Sequence, residues 1–298
     1  MKTKGPLAKV TAAVSLVVVA AAFSTQAIAA ITPGTITQVK SLVTSSTKIM
    51  ALSSQLSAKL ASVGTDNAAV ALGIPTMCES LTSCVFGDPA ATTSVVLMGD
   101  SHARMWLPAI APRAVAAHVR LILLAVNGCL VLGGMHGPSF GGCGAHLASE
   151  ITLINKLKPR SVLLTERTTS NTISDATWKA GMLATLRALA PSKAKLAIIG
   201  DVQAFGWSVP ACLASYPTAI QKCSVPNPNR SVPGHESQEK SAARAVGAKY
   251  VDPTPWMCAK RCSPVIGSFI AYWDSNHVTA SYASYLARVM GTALAPYL

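Results

Sequence analysis

The chain has 298 residues, half of them hydrophobic, and carries 25 lysines and arginines against 12 acidic residues for a net charge of +13. That length and apolar content allow one large domain with a sizeable core. The basic residues are scattered, without the runs that mark nucleic-acid arms, which excludes a nucleic-acid partner and leaves anionic wall polymers or membrane headgroups as the surfaces an exported basic protein meets.

The first element is an address. Lys2, Lys4 and Lys9 precede an apolar stretch from Val10 to Phe23, and Ala27-Ile28-Ala29 supplies a small-x-small cleavage site. Residues 1–29 therefore read as a signal peptide. The apolar stretch is shorter than the ~20 residues of a membrane span, so an uncleaved anchor is the lesser reading. The leader holds three of the lysines and no acidic residue, so the mature chain stays strongly basic without it. No second apolar stretch of spanning length follows, so the mature protein is expected to be soluble, monomeric and extracytoplasmic.

Residues 30–77 form a lead-in. Ser45, Ser46, Thr47, Ser53, Ser54 and Ser57 alternate there with Val43, Ile49, Met50, Leu52, Leu56 and Leu60, the spacing of an amphipathic helix that packs on the domain or spaces it from a membrane. From Cys78 the pattern becomes strand, then helix, repeatedly. Apolar runs at Val95–Met98, Leu121–Val126, Val162–Thr165, Leu196–Ile199 and Tyr250–Val251 are separated by helix-like stretches at Ala103–His118, Ala145–Leu157, Ala176–Ala190 and Glu236–Val246, and Ala280–Ala293 closes the chain. Short strands buried on both faces and separated by helices predict a parallel five-stranded sheet in a three-layer α/β/α sandwich over residues 78–298. In such sheets the site lies beyond the C-terminal strand ends, where Ser101 and Asp201 fall. Gly206–Pro233, rich in Pro, Ser and Asn, reads as a loop over that site.

Eight cysteines in an exported chain argue for disulfides, and their order suggests four local pairs: Cys78 with Cys84, Cys129 with Cys143, Cys212 with Cys223, and Cys258 with Cys262. Zinc at Cys258-x-x-x-Cys262 is the rival reading, weakened because no second Cys/His pair has finger-like spacing. There is no Cys-x-x-Cys, no phosphate loop and no His-Glu-x-x-His, so no cofactor or metal is expected.

Two distant segments carry the chemistry. Gly99-Asp100-Ser101-His102 follows the first strand, and Asp274-Ser275-Asn276-His277 precedes the last helix, for which Thr279 is a candidate cap. A serine hydroxyl is a poor nucleophile until a histidine takes its proton and an aspartate fixes that histidine's tautomer. Asp or Ser before a helix also serves as an ordinary N-cap, and either loop residue alone reads as a turn residue. The strand-end serine together with the late Asp-x-x-His favours catalysis by Ser101, Asp274 and His277. His102 is a further candidate for lining the site. His118, His136, His146 and His235 have no ligand spacing and read as surface or turn residues, and Trp106 reads as packing.

The segment Val95-Val96-Leu97-Met98-Gly99-Asp100-Ser101-His102-Ala103-Arg104-Met105-Trp106 resembles the first block of the SGNH hydrolase superfamily. The stretch Tyr272-Trp273-Asp274-Ser275-Asn276-His277-Val278-Thr279 and the Cys84-Val85-Phe86-Gly87-Asp88 segment are similar to the SGNH domain fused to acyltransferase-3 membrane proteins. The resemblance covers about residues 78–298. It implies a three-layer α/β/α fold and acyl-ester chemistry, often on O-acetylated cell-surface sugars, with Ser101 as nucleophile, His277 as base and Asp274 as its partner. In many such enzymes a glycine N–H and an asparagine side chain complete the oxyanion hole; here Gly128 and Asn171 are the candidates, with Arg167 a further one. Two departures stand out: no acyltransferase-3 membrane segment is present, and Trp273 occupies a position often held by arginine. The expected activity is an O-acetyl esterase or O-acyltransferase acting on an acylated envelope sugar or glycan through an acyl-serine. The alternative is a non-catalytic envelope-binding protein or accessory subunit of a membrane acyltransferase.

Overall fold

The computed structural model describes residues 31–134, 142–170, 172–229 and 231–298; the expected signal peptide and the candidate Asn171 lie outside the described residues. Strands in chain order are β1 (Met77–Cys78), β2 (Val85–Gly87), β3 (Ser94–Gly99), β4 (Arg120–Val126), β5 (Ser161–Thr165), β6 (Lys195–Ile199), β7 (Val225–Pro226) and β8 (Lys249–Val251). Helices α1 (Ile36–Ser46), α2 (Ser54–Leu60) and α3 (Ala68–Leu72) precede the sheet. They are followed by α4 (Ser101–Met105), α5 (Leu107–Ala116), α6 (Cys143–Leu157), α7 (Asp175–Ala188), α8 (Val209–Ser215), α9 (Glu236–Ala245), α10 (Thr254–Met257), α11 (Ala280–Tyr285) and α12 (Ala287–Ala293).

The five expected strands run parallel in the order β4-β3-β5-β6-β8. The short strands β1 and β2 add antiparallel to the outer edge of β4 and extend the sheet to seven strands. At two and three residues they are too short to show a period of two, so the sequence pattern carries no sign of them. Strand β7 belongs to a separate ribbon with Arg261–Cys262.

Every residue of β3 is buried, and its alternating side chains sort into two cores. Val95 and Leu97 face a layer that includes Trp106, Ile110, Tyr282 and Met290. Val96 and Met98 face the opposite layer, built on Ile154, Trp178, Met182 and Ala242. The expected helix over 103–118 is interrupted at Trp106. Pro108 lies in the first turn of α5, where its missing N–H leaves no bond unmade. The expected final helix likewise divides at Leu286 into α11 and α12.

The lead-in folds as two main helices separated by residues 47–53 and lies on the domain. Val39, Val43 and Leu56 enter the core. Ser46 Oγ accepts the Gly267 N–H at 2.9 Å, and Gln221 Nε2 donates to the Ile49 carbonyl at 2.6 Å. All four local cysteine pairs are bonded as their order suggested.

Candidate active site

β3 delivers the site through Gly99. A Cβ there would lie 1.8 Å from the Thr165 carbonyl oxygen of β5, so the two strands can run this close only with glycine. Asp100 then caps α4: its Oδ1 accepts the His102 N–H at 2.8 Å and its Oδ2 the Arg167 N–H at 3.1 Å. With the cap supplied by Asp100, the Ser101 hydroxyl is free for other partners.

That hydroxyl lies 2.8 Å from His277 Nε2, and His277 Nδ1 lies 2.6 Å from Asp274 Oδ2. Asp274 Oδ1 accepts the N–H groups of Asn276 and His277 at 2.9 and 2.7 Å. Burial pushes the Asp274 carboxyl up, but the bond to His277, its charge and these two amides together hold it below the ordinary value. A carboxylate on Nδ1 fixes the proton there and leaves Nε2 as acceptor for the serine O–H. The loop is held in turn from the stretch that leads into the Cys212–Cys223 bridge, where Phe205 N–H donates to Ser275 O at 2.9 Å and Val209 N–H to Asp274 O at 3.2 Å. Thr279 caps α11 as expected, accepting the Tyr282 N–H. The Trp273 ring stacks on His277 with centroids 5.2 Å apart and planes 21° from parallel.

His102 is placed behind His277, fully buried, and not at the solvent-facing surface of the site. Its Nδ1 lies 2.6 Å from Asp201 Oδ1. Asp201 also accepts the Thr168 N–H (2.8 Å), the Thr168 hydroxyl (3.1 Å) and the Val202 N–H (2.7 Å). Burial pulls the His102 imidazole down, yet the charge of Asp201 and the bond to it outweigh burial and raise it overall. Close by, Glu166 accepts the Val131 N–H at 2.6 Å; burial, then the Asp100 charge, pushes its carboxyl well above the ordinary range. Sequence reasoning marked Asp201 only as a strand-end aspartate, and Thr168 and Glu166 gave no signal at all.

Gly128 sits exposed in the turn after β4 with φ +75°, next to the Cys129–Cys143 bridge. Arg167 is exposed two residues beyond Thr165, which pairs with Gly99, so it stands level with Ser101 along the sheet. His118 and His146 lie at the surface beside Asp88 and Glu79. His235 differs from expectation: it is 7 % exposed, stacked on Trp178 and 2.7 Å from Asp175. Among the described residues no three His, Cys, Asp or Glu side chains are grouped to hold a metal ion. A polar cleft of about 280 Å³, walled by Asp201, Glu236, Lys240, Tyr250 and Asp252, opens over the ends of β6 and β8.

A family profile described as "SGNH domain (fused to AT3 domains)" matches residues 71–292. The chain belongs to this SGNH family. The fold of the SGNH domain is similar to that of the periplasmic domain of a lipopolysaccharide acetyltransferase from Salmonella ser. Paratyphi A. That likeness has a TM-score of 0.57 at 14 % identity and covers 73 % of this chain and 86 % of the other. The α/β sandwich with its mostly parallel sheet is the shared feature. A search of curated proteins finds no match.

Proposed function

We propose that this SGNH domain is an extracytoplasmic serine acyl-ester enzyme, either an O-acetyl esterase or an O-acyltransferase, acting on an envelope carbohydrate. The observation that carries the reading is the unbroken chain from Ser101 Oγ through His277 to Asp274, at 2.8 and 2.6 Å. His277 Nε2 takes the Ser101 proton as Oγ attacks the ester carbonyl. The tetrahedral oxyanion is met by the Ser101 N–H, with Gly128 and Asn171 as further donors. Collapse returns the proton from His277 to the leaving alkoxide and leaves an acyl-serine. Water, or a sugar hydroxyl, then attacks that ester with the same histidine as base.

Four disulfides support an oxidising compartment outside the cytoplasm. Among the described residues no helix is long and apolar enough to cross a membrane. In this reading residues 1–29 are the leader, residues 30–77 the helical lead-in and residues 78–298 the catalytic domain. The family's description, a domain fused to AT3 domains, supports a membrane acyltransferase as acyl source or partner. The cleft over β6 and β8, walled by carboxylates and an amine, offers the hydrogen-bond partners a sugar needs.

The test is p-nitrophenyl acetate turnover by the purified protein beside Ser101→Ala and His277→Ala. Nitrophenol release should fall by roughly 10³-fold or more in both variants, to near background. Equal release by all three proteins would remove the acyl-serine reading. Adding oligosaccharide acceptors and following acetylated product by mass spectrometry separates transfer from hydrolysis.

A further inference from the structure

The scattered cations of the sequence are gathered by the fold. In a parallel sheet with crossover helices, every strand starts at one end and every crossover helix finishes there. At that end, opposite Ser101, Arg120 opens β4, Arg160 immediately precedes β5, Lys195 opens β6 and Lys249 opens β8. Their level is fixed by the ladder: Ser94 pairs with Arg120, Arg160 N–H bonds Ser94 O, and Lys195 N–H bonds Arg160 O. The last turns of the crossover helices add Arg113, Lys156, Arg187 and Arg244. The turns that enter β5 and β6 add Lys158 and Lys193.

Of the twelve acidic residues only Asp88 lies at this end, beside His118. Asp100, Glu166, Asp201 and Asp274 gather instead at the catalytic end, while Glu236 and Asp252 line the neighbouring cleft. Among the described residues no lysine or arginine is ion-paired with an Asp or Glu side chain; all five carboxylate pairs involve histidines. The local offsets are modest: Arg120 donates to Leu81 O, Arg160 to Leu298 O and Lys195 to Pro296 O.

The cations lie in all three layers, on the sheet edge and on helices of both faces. Five strands about 4.8 Å apart give a base roughly 20 Å across. That is a two-dimensional patch, which fits a plane of anions better than the groove a single polymer strand would need. We infer that the base of the sandwich docks on an anionic lipid surface and so presents the catalytic end away from it. The bond is electrostatic and peripheral, a Lys/Arg surface over phosphate headgroups.

The test is co-sedimentation of the protein with vesicles of phosphatidylcholine and phosphatidylglycerol mixed two to one, against pure phosphatidylcholine and soluble polyphosphate. Binding should require the anionic lipid and be lost at high salt. The variant Lys156→Gln/Lys193→Asn/Lys195→Gln/Lys249→Gln should lose roughly fivefold in partitioning for each cation removed. The variant Lys40→Gln/Lys48→Gln/Lys222→Gln/Lys260→Gln, with equal net charge but cations removed elsewhere, should bind like the parent. Circular dichroism melts establish that both variants are folded. Equal loss in the two variants, no binding to anionic vesicles, or binding to polyphosphate alone would each overturn the inference. The readout is independent of turnover, so it stands or fails separately from the proposed chemistry.

Discussion

The ring of His102 lies 4.7 Å from that of His277, so two aspartate–histidine pairs stand back to back beyond the C-terminal strand ends. His102 is fully buried behind His277, which suits it to positioning that ring. Replacing it with alanine leaves Asp201 buried without its partner, which should cost about 3–5 kcal/mol of stability. In Asp201→Asn the packing survives, but the charge and the bond that raise His102 are gone. The His102 ring, which backs His277 at 4.7 Å, is then held less firmly, and kcat/KM should fall. An unchanged kcat/KM in Asp201→Asn would reduce the pair to a packing role.

Trp273 offers the complementary experiment. Its ring stacks on His277. Trp273→Ala removes that stack, so the His277 ring loses a packing partner and kcat/KM should fall. Steady-state kinetics of the variant beside the parent check it, and an unchanged kcat/KM would show that the stack does not position the base.

Stability should fall as pH rises. Burial, with the Glu79 charge nearby, pushes the Glu150 carboxyl up to about 8. Burial also raises Glu166, Glu236 and Glu239. The unfolded chain ionises these groups near pH 4.5 while the folded chain keeps them protonated, so the folded state loses ground as pH climbs from about 4.5 toward 8. The loss for one group approaches about 1.4 kcal/mol per pH unit. His102, raised in the folded state, adds in the same direction through its own titration. Asp274 has the opposite sign, but its contribution fades only below its ordinary range. Thermal melts should give a higher Tm at pH 5 than at pH 8, and Glu150→Gln should flatten the difference. A Tm that rises between those pH values would contradict this assignment.

The Cys212–Cys223 bridge closes a loop with a sequence separation of 11, which corresponds to about 3 kcal/mol of unfolded-state entropy. Cys212 lies on α8, whose first residue supplies the Val209 N–H that fixes the Asp274 carbonyl. Cys212→Ala/Cys223→Ala should therefore lower both stability and kcat. Denaturant melts and turnover of the double variant measure the two effects separately, and an unchanged kcat would show that the loop's grip on the site is independent of its bridge.

The parallel strands were legible because each is an uninterrupted apolar run with a helical stretch behind it. Ser101, Asp274 and His277 stood out because a strand-end serine and a late Asp-x-x-His together supply the three groups that acyl transfer needs. The hidden parts share a physical cause. His102 adjoins Ser101 in the chain, yet helical turning sends its side chain inward to Asp201, a residue 99 positions away. Glu166 is held by a backbone amide of Val131, which has no side-chain signature. His235 looked like a surface residue until Trp178 and Asp175 enclosed it. Long-range polar contacts of this kind have no periodicity to read.

The separation of duties between Asp100 and Ser101 has a practical side. Because the aspartate anchors the first turn of α4, truncating the serine side chain removes one hydroxyl without disturbing a cap or a core contact. Under the proposed function the Ser101→Ala protein should hold its fold and its cleft while chemistry is halted. On the same reading it should serve as a capture reagent for an acylated envelope glycan.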